Sequence, residues 1–195
     1  MGLHDFTFYD LIKRNAAIFN NRAAWYEDDD QRTLTFGEYK QKVDQLAGGL
    51  QKVGFQKGDR LAVLGKNSLE YFLLYGAAAA LGGIVLPVNW RLSAEETVFN
   101  LTDCEPVFVF VDSEYQEMIA GVRDQLASVR ECYNLKPPSG KFSDFDALLE
   151  NDGLFEMPDV ETDAGLVIIH TAAVAGRPRG ALLSHGNLIS ANTHV

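Results

Sequence analysis

Two cysteines, four histidines, two tryptophans and six prolines are all that this chain offers, across 195 residues, of the side chains that most often staple, ligate or punctuate a small fold. Cys104 and Cys132 stand far apart with no CxxC pair. That argues against a disulfide framework and points to free thiols in a reducing compartment, by default the cytoplasm. His4, His170, His185 and His194 show neither HxxxH nor HExxH spacing, so no zinc site is expected and no metal ligand is assigned. Basic residues are also few. Seventeen stand against 27 acidic ones, a formal net charge of −10, with no Lys/Arg cluster, which opposes binding to nucleic acid or to an anionic bilayer. The N-terminal MGLHDFTFYDLIKRNAAIF carries charges where a signal peptide needs an unbroken apolar stretch. One uncharged run, Tyr71 to Trp90, approaches the length of a spanning helix, but Gly82, Gly83 and Pro87 interrupt it and alanine fills its middle. It reads as a buried helix lying close on a sheet, then a buried strand from Ile84 to Val88, and not as a transmembrane segment. Internal repeats and low-complexity tails are absent.

What is present is an ordinary globular composition in a chain long enough to bury about 70% of its unfolded surface, with helix and strand signals in alternation. Thr35 and Glu38 form a capping-box signature, after which Phe36, Tyr39, Val43, Leu46, Leu50 and Val53 recur at helical spacing until Gly54. A strand follows at Arg60 to Leu64. Ser68 can cap the alanine-rich helix, and Ser93 with Glu96 repeats the capping box ahead of Thr97 to Leu101. VFVFV reads as a buried strand, Glu114 to Ser128 as a helix, Glu131 to Asn134 as a short strand and KPPSGK as a turn-rich segment. The acidic run Glu27 to Asp30 reads as a solvated turn between two short strands. Together these predict an α/β fold, a mostly parallel sheet with helices on both faces.

The stretch HTAAVAGRPRGALLSH, His170 to His185, stands out from this pattern. Gly165 to His170 and Gly180 to Leu183 read as strands, so Thr171 to Arg179 is a longer connection than a tight hairpin needs. Its small side chains leave main-chain N–H groups accessible, Thr171 adds a hydroxyl, and Arg177 and Arg179 flank Pro178 with two guanidinium forks suited to phosphate oxygens. An anion, in particular a polyphosphate, fits this set. The residues alone favour the plainer reading, a solvent-exposed loop whose arginines pair with surface carboxylates. Ser184 beside His185 is no nucleophile pair, since GxSxG is absent, and both can cap a helix.

The chain resembles the adenylate-forming (AMP-binding) superfamily of acyl-CoA synthetases, amino-acid-adenylating domains and luciferases, whose phosphate loop runs approximately T-S-G-T-T-G-x-P-K-G before an S/T-H pair. Thr171, Gly176, Pro178, Gly180, Ser184 and His185 keep that pattern. LTFGEYKQKVDQLAGGLQKVGFQKGDRLAVLGKNSLEY resembles the family's opening helix, K-G-D turn and strand, and GGIVLPVNWRLSAEE its proline-asparagine-arginine segment. The resemblance spans Phe6 to Asn192. It implies a phosphate loop at 171–180 contacting ATP through Thr171, Ala172, Ala173, Val174, Ala175, Gly176 and Arg179. Ala172 to Ala175 replace the family's Ser, Gly, Thr and Thr, and Arg179 replaces its lysine. Guanidinium remains a competent phosphate partner, whereas each lost hydroxyl contact costs about 0.5–1.5 kcal/mol.

For function, the resemblance implies an ATP-dependent acyl-CoA synthetase with a fatty acid as substrate. A carboxylate attacks the α-phosphate of Mg-ATP to give acyl-adenylate and pyrophosphate, and coenzyme A then displaces AMP. In relatives the adenine pocket, the magnesium-binding acid and a mobile C-terminal domain with its catalytic lysine follow the loop at a distance. Residues 1–195 are therefore read as a partial N-terminal AMP-binding domain, inactive alone, of a protein more than twice as long. Two other readings stay open: a sibling enzyme that loads a carrier-protein thiol, and a non-catalytic binding protein with an eroded ATP loop.

Overall fold

The computed structural model describes residues 6–136, 140–171 and 178–193. A first helix, α1 (Phe8–Phe19), is capped by Thr7, whose hydroxyl accepts from the Asp10 N–H while the Asp10 carboxylate reaches back to the Thr7 N–H. A two-stranded antiparallel ribbon follows, β1 (Ala23–Glu27) and β2 (Arg32–Thr35). Then come α2 (Phe36–Lys52), β3 (Arg60–Leu64), α3 (Leu69–Leu81), β4 (Ile84–Val88), α4 (Ala94–Cys104), β5 (Phe108–Val111), α5 (Gln116–Val122), β6 (Glu131–Asn134), β7 (Ser143–Asp144), β8 (Gly165–Thr171), β9 (Arg179–Ser184) and α6 (His185–Thr193). The larger sheet has the order β7-β6-β5-β3-β4-β8-β9, parallel throughout except for the antiparallel pair β8–β9. This is the α/β architecture expected from the alternation.

The strands are apolar on both sides because helices cover both sides. Leu61 and Val63 of β3, with Phe108 and Phe110 of β5, pack into the core under α2 and α3, and Ala62, Leu64, Val109 and Val111 pack under α4 and α5. Period-two alternation thus divides one strand between two cores. The α2–α3 contact is close: a Cβ on Gly76 would lie 2.5 Å from Val43 Cγ2. Helix α3 ends at Gly82, whose φ of +65° is the left-handed cap that glycine adopts without cost. The alanine-rich helix is buried except at the half-buried Phe72 and Tyr75, and among the described residues no helix is long and apolar enough to cross a membrane. Ala78 is fully buried and its carbonyl accepts from the N–H groups of Gly82 and Gly83. Ala78→Leu is expected to lower stability by about 1–3 kcal/mol through overpacking, read as a shift in the urea midpoint.

Two expectations need correction. Glu114 to Ser128 does not form one helix: residues 113–115 and 123–125 are wound as 3₁₀ turns around the short α5. Asp112 caps the Ser113 N–H, Gly121 weakens the middle, and the Arg123 guanidinium donates to the Leu126 and Val129 carbonyls, drawing the chain out of helical register. The acidic run is a turn, but Glu27 is not solvated. It closes β1, is buried, and binds Arg32 and Lys136, while Arg32 reaches on to Glu70 of α3 at 2.6 Å. Burial works against the Glu27 charge, yet the hydrogen bonds from Lys136 and Arg32 outweigh it and hold the carboxyl below the usual range. A residue spent on fastening the ribbon to the body of the domain looks like any surface acid in sequence.

Candidate functional site

Strands β8 and β9 form a hairpin at the end of the sheet. Beyond a shift near Gly165 the register is regular: Ile168 opposite Leu182, Ile169 opposite Ala181, His170 opposite Gly180, and Thr171 opposite Arg179. The last pair frames the connection 172–178, so Thr171 and Arg179 belong to the strands and not to the loop between them. The Thr171 hydroxyl donates to the Arg179 carbonyl at 3.4 Å, and both residues are exposed. Among the described residues no carboxylate pairs with the Arg179 guanidinium, so the reading in which it merely neutralises a surface acid has no partner here. The exposed Arg179 guanidinium is a donor fork that suits polyphosphate oxygens, whereas the Thr171 proton is engaged on the Arg179 carbonyl. Ala172, Ala173, Val174, Ala175 and Gly176, also expected at the site, lie outside the described residues, as does Arg177.

The base of the hairpin is held from two sides. Ser184 caps α6, its hydroxyl accepting from the Asn187 N–H at 3.2 Å while Asn187 Oδ1 accepts from the Ser184 N–H at 3.0 Å. His185 caps a different helix. Its Nδ1 accepts the Phe8 N–H of α1 at 3.0 Å, across 177 residues. The ring is fully buried, its Nε2 has no partner among the described residues, and burial pushes its pKa down to about 4. The sequence marks Ser184 and His185 as a capping pair, and the structure divides that role between two helices.

β8 pairs with β4 at Val85–Val167, two residues before Pro87, whose ring offers no N–H to extend a ladder. Further along, β8 approaches the C-terminal end of α4. There His170 Nε2 lies 3.2 Å from Asp103 Oδ2 and 3.9 Å from Cys104 Sγ. Cys104 is a free, buried thiol whose pKa burial and the Asp103 charge push up to about 11. Cys132 is likewise free, with burial raising its thiol to about 11. Both are therefore protonated at neutral pH and are not nucleophiles. Sequence spacing gave no hint of this meeting, because it joins residues 66 and 67 positions apart.

Residues 12–195 match the model of the AMP-binding enzyme family, and the chain belongs to that family. It is 36% identical over 160 residues to an indoleacetate–CoA ligase of Aromatoleum aromaticum, covering 81% of this chain and 31% of that protein. Against the long-chain-fatty-acid–CoA ligase FadD13 of Mycobacterium tuberculosis the identity is 28% over 188 residues, 93% of this chain and 35% of that protein. A crystallised protein of Rhodopseudomonas palustris CGA009, provisionally described as a long-chain-fatty-acid CoA ligase, superposes with a TM-score of 0.90 at 43% identity, over 98% of this chain and 48% of that one. ATP-bound MatB from Rhodopseudomonas palustris gives 0.78 at 28% identity, over 96% of this chain and 37% of that one. The chain thus spans about a third of the length of the curated relatives it matches. These relatives are adenylate-forming acyl-CoA ligases, and the fold is that of such enzymes' N-terminal domain.

Proposed function

We propose that this chain is the first part of an ATP-dependent acyl-CoA synthetase that converts a fatty acid to its acyl-adenylate and then transfers the acyl group to coenzyme A. The observation that carries the reading is the family match across residues 12–195, and it is supported by a β8–β9 hairpin that presents Thr171 and Arg179 at the ends of the connection whose sequence resembles the family's phosphate loop. Arg179 and Thr171, with the main chain between them, would hold the outer phosphates of ATP as pyrophosphate leaves. Their part is to fix the phosphates and to supply positive charge where negative charge accumulates, which is how phosphoryl and adenylyl transfer sites act. Magnesium would neutralise the phosphate charge, and we assign none of the described residues to it. A fatty acid is preferred over other carboxylates because both a curated relative and a structural relative are described as acting on long-chain fatty acids. The free thiols of Cys104 and Cys132 support a reducing, cytoplasmic setting.

The test is acyl-CoA formation by the protein in which this chain is joined to a complete adenylating domain, assayed with a long-chain fatty acid beside an aromatic acid such as indoleacetate. Faster turnover of the fatty acid supports the reading; turnover of the aromatic acid alone overturns the substrate assignment. Residues 1–195 in isolation are expected to give no carboxylate-dependent ATP–pyrophosphate exchange, because the adenine pocket and the magnesium-binding acid lie elsewhere in such enzymes. Exchange by the purified 195-residue chain would refute this.

A further inference from the structure

The ends of α4 and β8 bring three different ligand types to one point. Asp103 Oδ2, Cys104 Sγ and His170 Nε2 all lie within 4.8 Å of one another, with N···O at 3.2 Å and N···S at 3.9 Å. Around a tetrahedral zinc-class ion with bonds of about 2.0–2.1 Å to nitrogen and oxygen and about 2.3 Å to sulfur, such pairs stand about 3.3 and 3.6 Å apart. The two pairs that meet at His170 Nε2 are therefore within a few tenths of an ångström of a ligand set, and Asp103 and Cys104 lie within 4.8 Å of each other.

The surroundings suit an ion as well. Opposite His170 stands Gly180, where a Cβ would come to 3.6 Å of Nε2, so that residue puts no side chain against the imidazole, which is itself nearly buried. The Asp103 side chain is 45% exposed and gives a path from solvent, while Cys104 is buried behind it. His170 Nδ1 is enclosed and has no partner among the described residues, so no hydrogen bond from that nitrogen accounts for the ring's position.

We propose that Asp103, Cys104 and His170 bind a divalent transition metal ion of the zinc class, with solvent in the fourth position. Binding releases the Cys104 thiol proton to solvent, and thiolate plus carboxylate then balance the two charges of the ion. The unpartnered Nδ1 makes the site about 10- to 100-fold weaker than one whose histidine is oriented by a second hydrogen bond. The ion would pin the β8 side of the hairpin, one residue before Thr171, to the end of α4. The proposal is independent of the assigned reaction.

Cobalt(II) tests it on the 195-residue chain, tag-free, with thiols reduced and oxygen excluded. The expected result is a thiolate-to-cobalt charge-transfer band in the near ultraviolet that saturates at about one equivalent and is displaced by zinc. Cys104→Ser abolishes the band and Cys132→Ser leaves it intact. His170→Ala and Asp103→Asn each weaken cobalt binding by at least about tenfold. A folded wild-type chain that shows no band, or a band that survives Cys104→Ser, overturns the proposal. Should Cys104→Ser fail to fold, as judged by circular dichroism, unchanged cobalt affinity in both His170→Ala and Asp103→Asn overturns it equally.

Discussion

Arg179→Ala is expected to slow carboxylate-dependent ATP–pyrophosphate exchange by about 10- to 150-fold in the proposed full-length synthetase, with the folded state intact. A hydrogen bond to a charged group is worth about 1.5–3 kcal/mol, which sets that range. Arg179 is on β9 opposite Thr171, exposed and without a carboxylate partner among the described residues, so removing its guanidinium leaves no buried charge behind. The loss should fall on ATP use and not on stability. Arg179→Lys should retain much of the activity, because an ammonium still supplies the charge, although it gives up the planar two-point fork. The family resemblance puts Arg177 at a variable position of the loop, so Arg177→Ala should change exchange little. Equal losses at the two positions would refute the assignment to one arginine and keep the phosphate role.

The second large effect concerns pH and stability. In the unfolded chain the His185 ring takes up its proton near the ordinary value of about 6.5, whereas burial delays this in the folded chain until about pH 4. Between those values the unfolded state binds more protons, so the contribution of His185 to stability is full above about pH 6.5 and is lost as pH falls toward 4. A gap of that width corresponds to about 3 kcal/mol. The physical event is clear from the geometry: a proton on Nδ1 would face the Phe8 N–H that now donates to it at 3.0 Å, setting donor against donor and detaching α6 from α1. The nearby Asp10 carboxylate favours the imidazolium and works against burial, and burial prevails. His185→Asn keeps an acceptor near the same place without titrating there. Urea midpoints of the two proteins between pH 7.5 and 4 should therefore converge as pH falls, and parallel pH profiles would contradict the linkage.

Much of the fold was legible because its signals are local. The capping boxes at Thr35–Glu38 and Ser93–Glu96 both form, Ser68 caps α3, and the runs RLAVL, IVLPV and VFVFV are buried strands. Where local and distant interactions compete, the sequence was a poorer guide. The segment from Glu114 to Ser128 carries helical spacing, but side chains of Asp112 and Arg123 bind main-chain groups that a continuous helix would use. Glu27 reads as part of a solvated run, yet cations from β2 and from the segment after β6 meet it in the interior. The same limit hid the Asp103–Cys104–His170 cluster, whose members come from the end of α4 and from β8, 66 and 67 positions apart. At the β8–β9 hairpin, family resemblance pointed to the connection as a whole, and register then moved Thr171 and Arg179 from the loop into the strands that frame it.

The most direct measurement is carboxylate-dependent ATP–pyrophosphate exchange by the proposed full-length synthetase, wild type beside the Arg177→Ala/Arg179→Ala double variant at matched folded concentration. Exchange in the wild type that collapses in the double variant is the predicted result. Exchange at wild-type level in the folded double variant would contradict a phosphate-binding role for the β8–β9 connection and leave a binding protein with an eroded loop as the better description.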